Sequence, residues 1–482
     1  MEKKHTGLSA MQLTMMALGT VIGGSFFLGS SVSIHSAGPS ILISYILGGI
    51  LVYFILTALS EMTVANPDAG SFRTYATQTF GQGAGFVVGW VYWTGMILAM
   101  SSEAIAVSLM VRGWMPNISI ALLGSLVIIS VTLLNLLGAD KLSKLESGLA
   151  SIKVLALVSF IILAILLITG VFAKTPAIGI GELAKEPLFP AGIKGIAGSM
   201  VIVILSYAGF EIIGLAASEA SNPIKTVPKA IKYTVISLVG LYIFSIFAVL
   251  PLVPTAELSE NASAMVSALN KHGIGWAGTV INIVLITAIL STMLAAMFGL
   301  GRMIRSLADE NHAPKWLKDK SNVPYHGILF SGFAMLAGLW LGLMLPRVYL
   351  FLVSSGGFAL LFTYGAIMAT HIRFRKMNGC PPNGKCQMPG YPFTSWISLV
   401  SIIIAILSMP FIPGLAPGLI AGIIIVALYL SIYMTIKFFS LRKNNGPGYI
   451  LNHARYKPRL LEEFSKELNE EIDDKPDDTT ED

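Results

Sequence analysis

The chain has 482 residues, of which 54% are hydrophobic and only 12% charged, about half the charged share of an average soluble domain. Its mean hydropathy is +0.74 and its net charge is +6. A soluble fold this apolar would expose aggregating patches and disorder goes with low hydrophobicity, so both classes are excluded, and the alternating strands of a membrane barrel are disfavoured.

Twelve continuous apolar segments are predicted, at residues 10–34, 40–60, 84–111, 118–138, 147–170, 194–217, 231–252, 277–301, 327–345, 348–370, 393–412 and 415–438. Each is near or above the ~20 residues that a helix needs to cross ~30 Å of hydrocarbon. The fold class is therefore an all-α polytopic membrane protein. The first segment follows Lys3 and Lys4 as a signal peptide would. It is too long for an h-region and lacks a clear cleavage site, so it reads as a retained span. A short segment, 1–9, precedes the transmembrane domain at 10–440. The tail at 441–482 carries eleven of the 26 acidic residues, from Glu462 onward, and reads as solvated and disordered. The basic surplus thus belongs to the membrane domain, and nucleic acid is not its expected partner.

With an even number of spans both termini share one side. That side collects 25 of the 32 Lys and Arg residues, the other side six, and Lys153 lies inside a span. Positive charge is retained in the cytoplasm, so both termini are expected there. Cys380 and Cys386 make neither a disulfide framework nor a zinc pattern. The stretch from Gly379 to Cys386 nearly spells a phosphate-binding loop, but it lacks the final hydroxyl residue, holds two prolines and follows no strand. No metal site, resident cofactor or enzymatic nucleophile–base constellation stands out.

Two spans are expected to be broken by glycine: Gly23-Gly24-Ser25 mid-span in the first and Gly209 beside Glu211 in the sixth. Glycine costs about 1 kcal/mol in a helix interior, and unwound backbone inside a membrane survives only where protein or a cavity satisfies it. Close helix packing is the alternative use of such residues. Five spans separate the two breaks, which sets the two halves in opposite orientations, as in an inverted repeat. The expected organisation is a 5+5 repeat, about 10–170 and 194–376, with helices 1 and 6 discontinuous and helices 11–12 at about 393–438.

At these residues the sequence resembles the amino acid–polyamine–organocation superfamily, and more narrowly its amino acid permeases. The first span reads GTVIGGSFFLG, the second ends in LSEM followed by Gly70-Ser71-Phe72, and the third carries GWVYW and then Glu103. The fifth contains Ile152-Lys153-Val154, with Glu146 upstream. The sixth runs into GFEIIGLAASEASNPIKTVPKAI, and the eighth ends with Ser291-Thr292 and Arg302 before SLADENHAPKW. Ser25 stands where the family often has glycine and Leu294 where it often has asparagine, both in regions expected to line the substrate. The resemblance implies a secondary active transporter that imports amino acids by alternating access, with an exchanger or a non-transporting sensor as alternatives. A sensor should carry a large signalling domain, which the short acidic tail does not provide.

A zwitterion needs donors for its carboxylate and acceptors for its ammonium, and a broken helix offers both. The amides of Gly23, Gly24 and Ser25 are the candidate carboxylate cradle. The carbonyls of Thr20, Val21 and Ile22, and those of Ser206, Tyr207 and Ala208, are candidate ammonium acceptors, with Gly209 allowing close approach. Tyr207 and Phe210 are candidate gating aromatics, ahead of Tyr92 and Trp93, which more ordinarily pack. Lys153 is costly in hydrocarbon unless it reaches back to the interface. The resemblance places its ammonium where sodium-coupled relatives hold sodium, against carbonyls near Ala17 to Thr20 and the hydroxyl of Ser291 or Thr292. Protons rather than sodium are then the expected coupling ion. Glu103 and Glu211 are further intramembrane carboxylates, with proton or substrate handling set against a helix-end or lysine pairing. Glu219 is expected at the cytoplasmic end, near Asn222-Pro223 or Lys225. The expected partners are a small amino acid and membrane lipid, with no obligatory protein partner evident.

Overall fold

Seventeen α-helices account for the regular structure of the computed structural model, which describes residues 7–443 apart from 69, 138, 172–176, 218–219, 260–261, 320, 322, 346–347, 381–385 and 413. They are α1 (Ala10–Val21), α2 (Gly24–Phe27), α3 (Gly29–Ala37), α4 (Ile41–Ala65), α5 (Phe72–Phe80), α6 (Gln82–Arg112), α7 (Ile120–Asn135), α8 (Ala139–Thr169) and α9 (Gly192–Ser206). There follow α10 (Ile212–Ala216), α11 (Pro223–Val249), α12 (Ala264–Lys271), α13 (Gly275–Asp309), α14 (Tyr325–Leu343), α15 (Val348–Asn378), α16 (Phe393–Ser408) and α17 (Ala416–Lys443). Among the described residues there is no sheet, only an isolated parallel bridge between Leu8 and Ala220. Glu146's side chain, Lys174, Glu219, Arg347, most of the near phosphate-loop motif and the acidic tail beyond Lys443 lie outside what is described.

Nine stretches among the described residues are long and apolar enough to cross a membrane. One of them, Gly24–Ala65, holds the second half of the first predicted segment and the whole of the second, joined by a tight turn at Gly38–Ser40. Three shorter apolar helices accompany them: Ala10–Val21, Ile120–Asn135 and Gly192–Ser206. Two of these three are short because they are first halves of interrupted spans. Side-chain caps begin α1, α7 and α11. Ser9 and Gln12 form a reciprocal capping box at α1, with bonds of 3.3 and 2.9 Å. The side chain of Asn222 accepts from Lys225 N at 3.2 Å ahead of Pro223, which needs no N–H at the first position of α11.

Both glycine-marked spans are broken. In the first, Ile22 and Gly23 are extended between α1 and α2. In the second, the turn from Tyr207 to Glu211 separates α9 from α10. α1 packs beside α10, and α2 and α3 pack beside α9. First half lies against second half, so the two interrupted spans run antiparallel. Around them, α1 contacts α8, α11 and α13, while α6 packs on α15, α5, α13, α7 and α14.

A polar cluster ties the end of this bundle together. Glu61 of α4 is fully buried, and its Oε2 lies 2.7 Å from His371 Nε2 of α15. Its Oε1 accepts from the backbone amides of Gln387 and Met388 at 2.6 and 2.8 Å, and Arg375 Nη1 approaches to 3.4 Å. Arg375 in turn stacks over Tyr391 at 4.6 Å. Cys380 and Cys386, which the sequence leaves unpaired, are joined in a disulfide just before this loop. Their Cα atoms lie 5.4 Å apart, within the span of a disulfide.

Glu61→Ala should strand two backbone donors and a buried guanidinium. Breaking such a cluster costs about 3–5 kcal/mol, so the melting temperature of the purified protein should fall by several degrees, and less for Glu61→Gln. An unchanged melting temperature for both would show the cluster to be energetically idle.

Candidate functional site

The two backbone breaks meet. Gly209 has φ +106°, a conformation open to glycine, and a Cβ there would stand 3.0 Å from the carbonyl oxygen of Thr20. A Cβ on Gly23 would meet Thr292 Oγ1 at 3.0 Å and Glu103 Oε1 at 3.4 Å. Gly209 is held to glycine by its φ and by the Thr20 backbone, and at Gly23 a Cβ would be tight against Thr292 Oγ1.

The end of α1 and the start of α2 expose opposite partial charges, and the chain answers each with a buried ion. Glu103 of α6 sits on the donor end. Its Oε2 accepts from Gly24 N at 2.7 Å, and its Oε1 accepts from Ser25 N at 3.1 Å and Ser25 Oγ at 2.8 Å. Lys153 of α8 sits on the acceptor end, donating to the Gly19 carbonyl and to Thr292 Oγ1, the latter at 2.8 Å. Lys153 is fully buried, so it does not reach back to an interface. Thr292 has a single proton for three nearby carbonyls, Ile22 at 3.0 Å and Gly19 and Ala288 at 3.2 Å. Of the two hydroxyls expected near Lys153, the structure selects Thr292. Ser291 Oγ is buried and has no hydrogen-bond partner among the described residues.

The candidate cradle is thus filled from within, since two of its three amides hold Glu103. Three of the six candidate acceptors also lie within reach of a hydroxyl. Tyr242 OH, with one proton, lies 3.0 Å from the Ser206 carbonyl and 3.4 Å from that of Val21, and Thr292 Oγ1 lies 3.0 Å from that of Ile22. Ser206 Oγ lies 3.0 Å from the Ser25 carbonyl of the other broken span and 2.9 Å from the Ile202 carbonyl of its own helix. Phe26 stacks on Tyr242 with centroids 3.7 Å apart. A cavity of about 20 Å³ remains, which is room for about one water. Thr20, Ser25, Glu103 and Thr292 give its lining polar groups, and Met96, Met100, Leu205 and Leu360 give it apolar ones.

Glu211 forms a separate cluster. It accepts from Tyr92 OH at 3.2 Å, Tyr364 OH at 3.1 Å and Gly209 N at 3.1 Å. Phe210 stacks on Tyr364 at 4.9 Å, Tyr207 donates to the Tyr45 carbonyl at 3.1 Å, and Trp93 donates to Ser331 at 2.9 Å. Tyr92 is more than packing, and Tyr45, Tyr242 and Tyr364 enter the site unannounced. Nothing in their local sequence, a tyrosine among apolar neighbours, separates them from ordinary core aromatics.

A second ion pair closes the far end of α13. Arg73 of α5, 1% exposed, donates to Glu310 through Nη1 at 2.8 Å and Nη2 at 2.6 Å, and to Ser306 at 2.8 Å. Burial alone would raise the Glu310 carboxyl. The Arg73 hydrogen bonds and charge, with His312 beside it, hold it below the ordinary carboxylate range. Burial pushes the His312 ring down, with Glu310 opposing. The Arg73–Glu310 pair is therefore fully formed above the ordinary carboxylate range and is lost only as pH falls through the lowered value.

Among known proteins, the sequence profile described as "Amino acid permease" matches residues 12–445. The amino-acid permease AapA of Bacillus subtilis is 33% identical over 85% of this chain and 90% of its own. The gamma-aminobutyric acid permease of Bacillus subtilis is 33% identical over 84% and 88%. The probable threonine/serine transporter YbxG of Bacillus subtilis is 32% identical over 84% and 89%. These relatives are named as permeases and transporters, not enzymes.

Gly24→Ala should evict Glu103, because the added methyl would overlap Glu103 Oε2. An apolar carbodiimide should then label Glu103 several-fold faster than in the unaltered protein, read by mass spectrometry. Equal labelling would show that the carboxylate keeps its seat.

Proposed function

The chain belongs to the amino acid permease family, and from that premise we propose that it imports amino acids across the cytoplasmic membrane by alternating access, in symport with protons. The observation that carries this reading is the Glu103 carboxylate on the amides of Gly24 and Ser25. A substrate α-carboxylate needs those donors, so Glu103 and substrate compete for one seat. A proton taken up by Glu103 cancels its charge and weakens its hold on the amides. Substrate entry is thereby tied to proton entry.

The substrate ammonium then lies toward the Thr20 and Ala208 side of the cavity, and its side chain toward Met96, Met100, Leu205 and Leu360. That lining favours neutral, small side chains. Gamma-aminobutyric acid, threonine and serine, which the relatives' names mention, are also zwitterions without net charge. At about 20 Å³ the cavity is too small for any amino acid, so binding requires Glu103 and its neighbours to give way. Glu211, held by Tyr92 and Tyr364, orients the sixth-span break around this site.

Lys153 performs the second task. Its charge joins α8 to α1 and to Thr292 of α13, the position at which a bound sodium ion would do the same. Loss of its proton loosens that joint and lets the empty carrier reset. The antiparallel packing of the two broken spans supports a 5+5 inverted repeat. Twelve spans with both termini in the cytoplasm agree with the basic-residue bias, and the Arg73–Glu310 pair then latches the cytoplasmic side.

The test is uptake of labelled amino acid into proteoliposomes under an imposed pH gradient, with and without sodium. Wild type should accumulate substrate without sodium. Glu103→Gln should lose at least tenfold in gradient-driven accumulation, about 1.4 kcal/mol, and its substrate affinity should no longer vary with pH. Lys153→Ala should stop accumulation, and Lys153→Arg should not restore it, because a guanidinium keeps its proton. Counterflow without any response to the gradient would make the protein an exchanger, and strict sodium dependence would overturn the coupling.

Orientation has its own measurement. In a background lacking Cys380 and Cys386, a cysteine at Lys271 should react with an impermeant reagent only from outside, and one at Lys318 only from inside. These residues flank α13, so labelling from one side would overturn the span assignment.

A further inference from the structure

We propose that a groove at the end of α15 binds an anionic phospholipid. The groove measures about 430 Å³ and lies between the last turns of α15, the start of α16 and the end of α5. From α15 it takes Ala369, Ile372, Arg373 and Lys376, spaced three, four and seven residues apart, which places them on one helix face. From α16 it takes Trp396 and Leu399, and from α5 it takes Phe80.

The chemistry is graded along the groove. Arg373 and Lys376 stand at the end of α15, both exposed, and among the described residues neither is ion-paired. Arg375 turns away to Glu61, so the basic residues of this turn divide between an internal and an external task. The Arg373 guanidinium lies over the Phe80 ring at 5.0 Å, which fixes its position without cancelling its charge. Ile372 and Ala369, one and two turns before Lys376 on α15, and Leu399 of α16 are apolar. Trp396 is 51% exposed between the two regions, the place where tryptophan marks the boundary of hydrocarbon and headgroup.

Among the described residues no acidic side chain lines the groove. A phosphate held by Arg373 and Lys376, with an acyl chain running along Ile372, Ala369 and Leu399, satisfies both ends at once. Basic pockets between membrane helices recognise anionic headgroups in this manner. The shared chemistry is a phosphate, and the apolar floor favours the lipid over a free ion. This inference needs only that α15 and α16 cross the membrane, and it stands apart from the transport reading.

The test uses the full chain in vesicles and the fluorescence of Trp396, isolated by difference against Trp396→Phe. Brominated phosphatidylglycerol should quench it at roughly tenfold lower mole fraction than brominated phosphatidylcholine. R373Q/K376Q should bring that preference to about one, while the charge-conserving R373K/K376R and the control K229Q/K232Q, on another helix, should keep it. Millimolar inorganic phosphate should not compete. Equal quenching by the two lipids, or an undiminished preference in R373Q/K376Q, would falsify the site. Equal losses in R373Q/K376Q and in K229Q/K232Q would reduce it to diffuse surface attraction. Displacement by inorganic phosphate would reassign the groove to a free anion.

Discussion

The interruption of the first span is the constraint on which the rest depends. A membrane offers no water to satisfy broken backbone, so Ile22 and Gly23 can stay extended only if other helices supply the missing partners. Four do so. α6 brings Glu103 to the donor end, α8 brings Lys153 to the acceptor end, α13 brings Thr292 between them, and α11 brings Tyr242 across to the second break. Each buried charge is stabilised by the helix end that it faces, and each helix end by the charge. Removing one member exposes the others, which is why the contacts concentrate at one level of the bundle.

The site's members were legible in the sequence where physics makes them conspicuous. A lysine in LASIKVLALV and a glutamate in AMSSEAIAV are expensive in hydrocarbon, and paired glycines mid-span invite a break. The partnerships were less legible. The sequence placed a ligand on the amides of Gly24 and Ser25 but could not show that Glu103, 78 to 79 residues away, already occupies them. It offered Ser291 and Thr292 equally, and only the helical phase of α13 turns Thr292 toward Lys153. Tyr242 and Tyr364 carried no signal, because a tyrosine bonded to a distant carbonyl looks like any other apolar-run tyrosine.

The fold follows the same division. Helical class and the approximate spans come directly from continuous hydrophobicity, which is local. The lengths of the individual helices do not, because the breaks divide two spans and a tight turn at Gly38–Ser40 joins the first of these to its neighbour. Glu61 illustrates the limit well. LSEM marks the end of a span, yet the partners His371, Gln387 and Met388 lie more than three hundred residues on.

That last separation bears on how the protein is made. Glu61 leaves the ribosome early, and the amides that hold its carboxylate are translated 326 and 327 residues later. At about 5–20 residues per second, the carboxylate waits roughly 15–65 s in a half-built bundle. During that interval it must stay near water or near the insertion machinery. α4 therefore cannot settle to its final depth until α15 and its following loop arrive. A nascent chain that stops short of Met388 carries an unsatisfied charge, a mark by which membrane quality control can tell it from the finished protein.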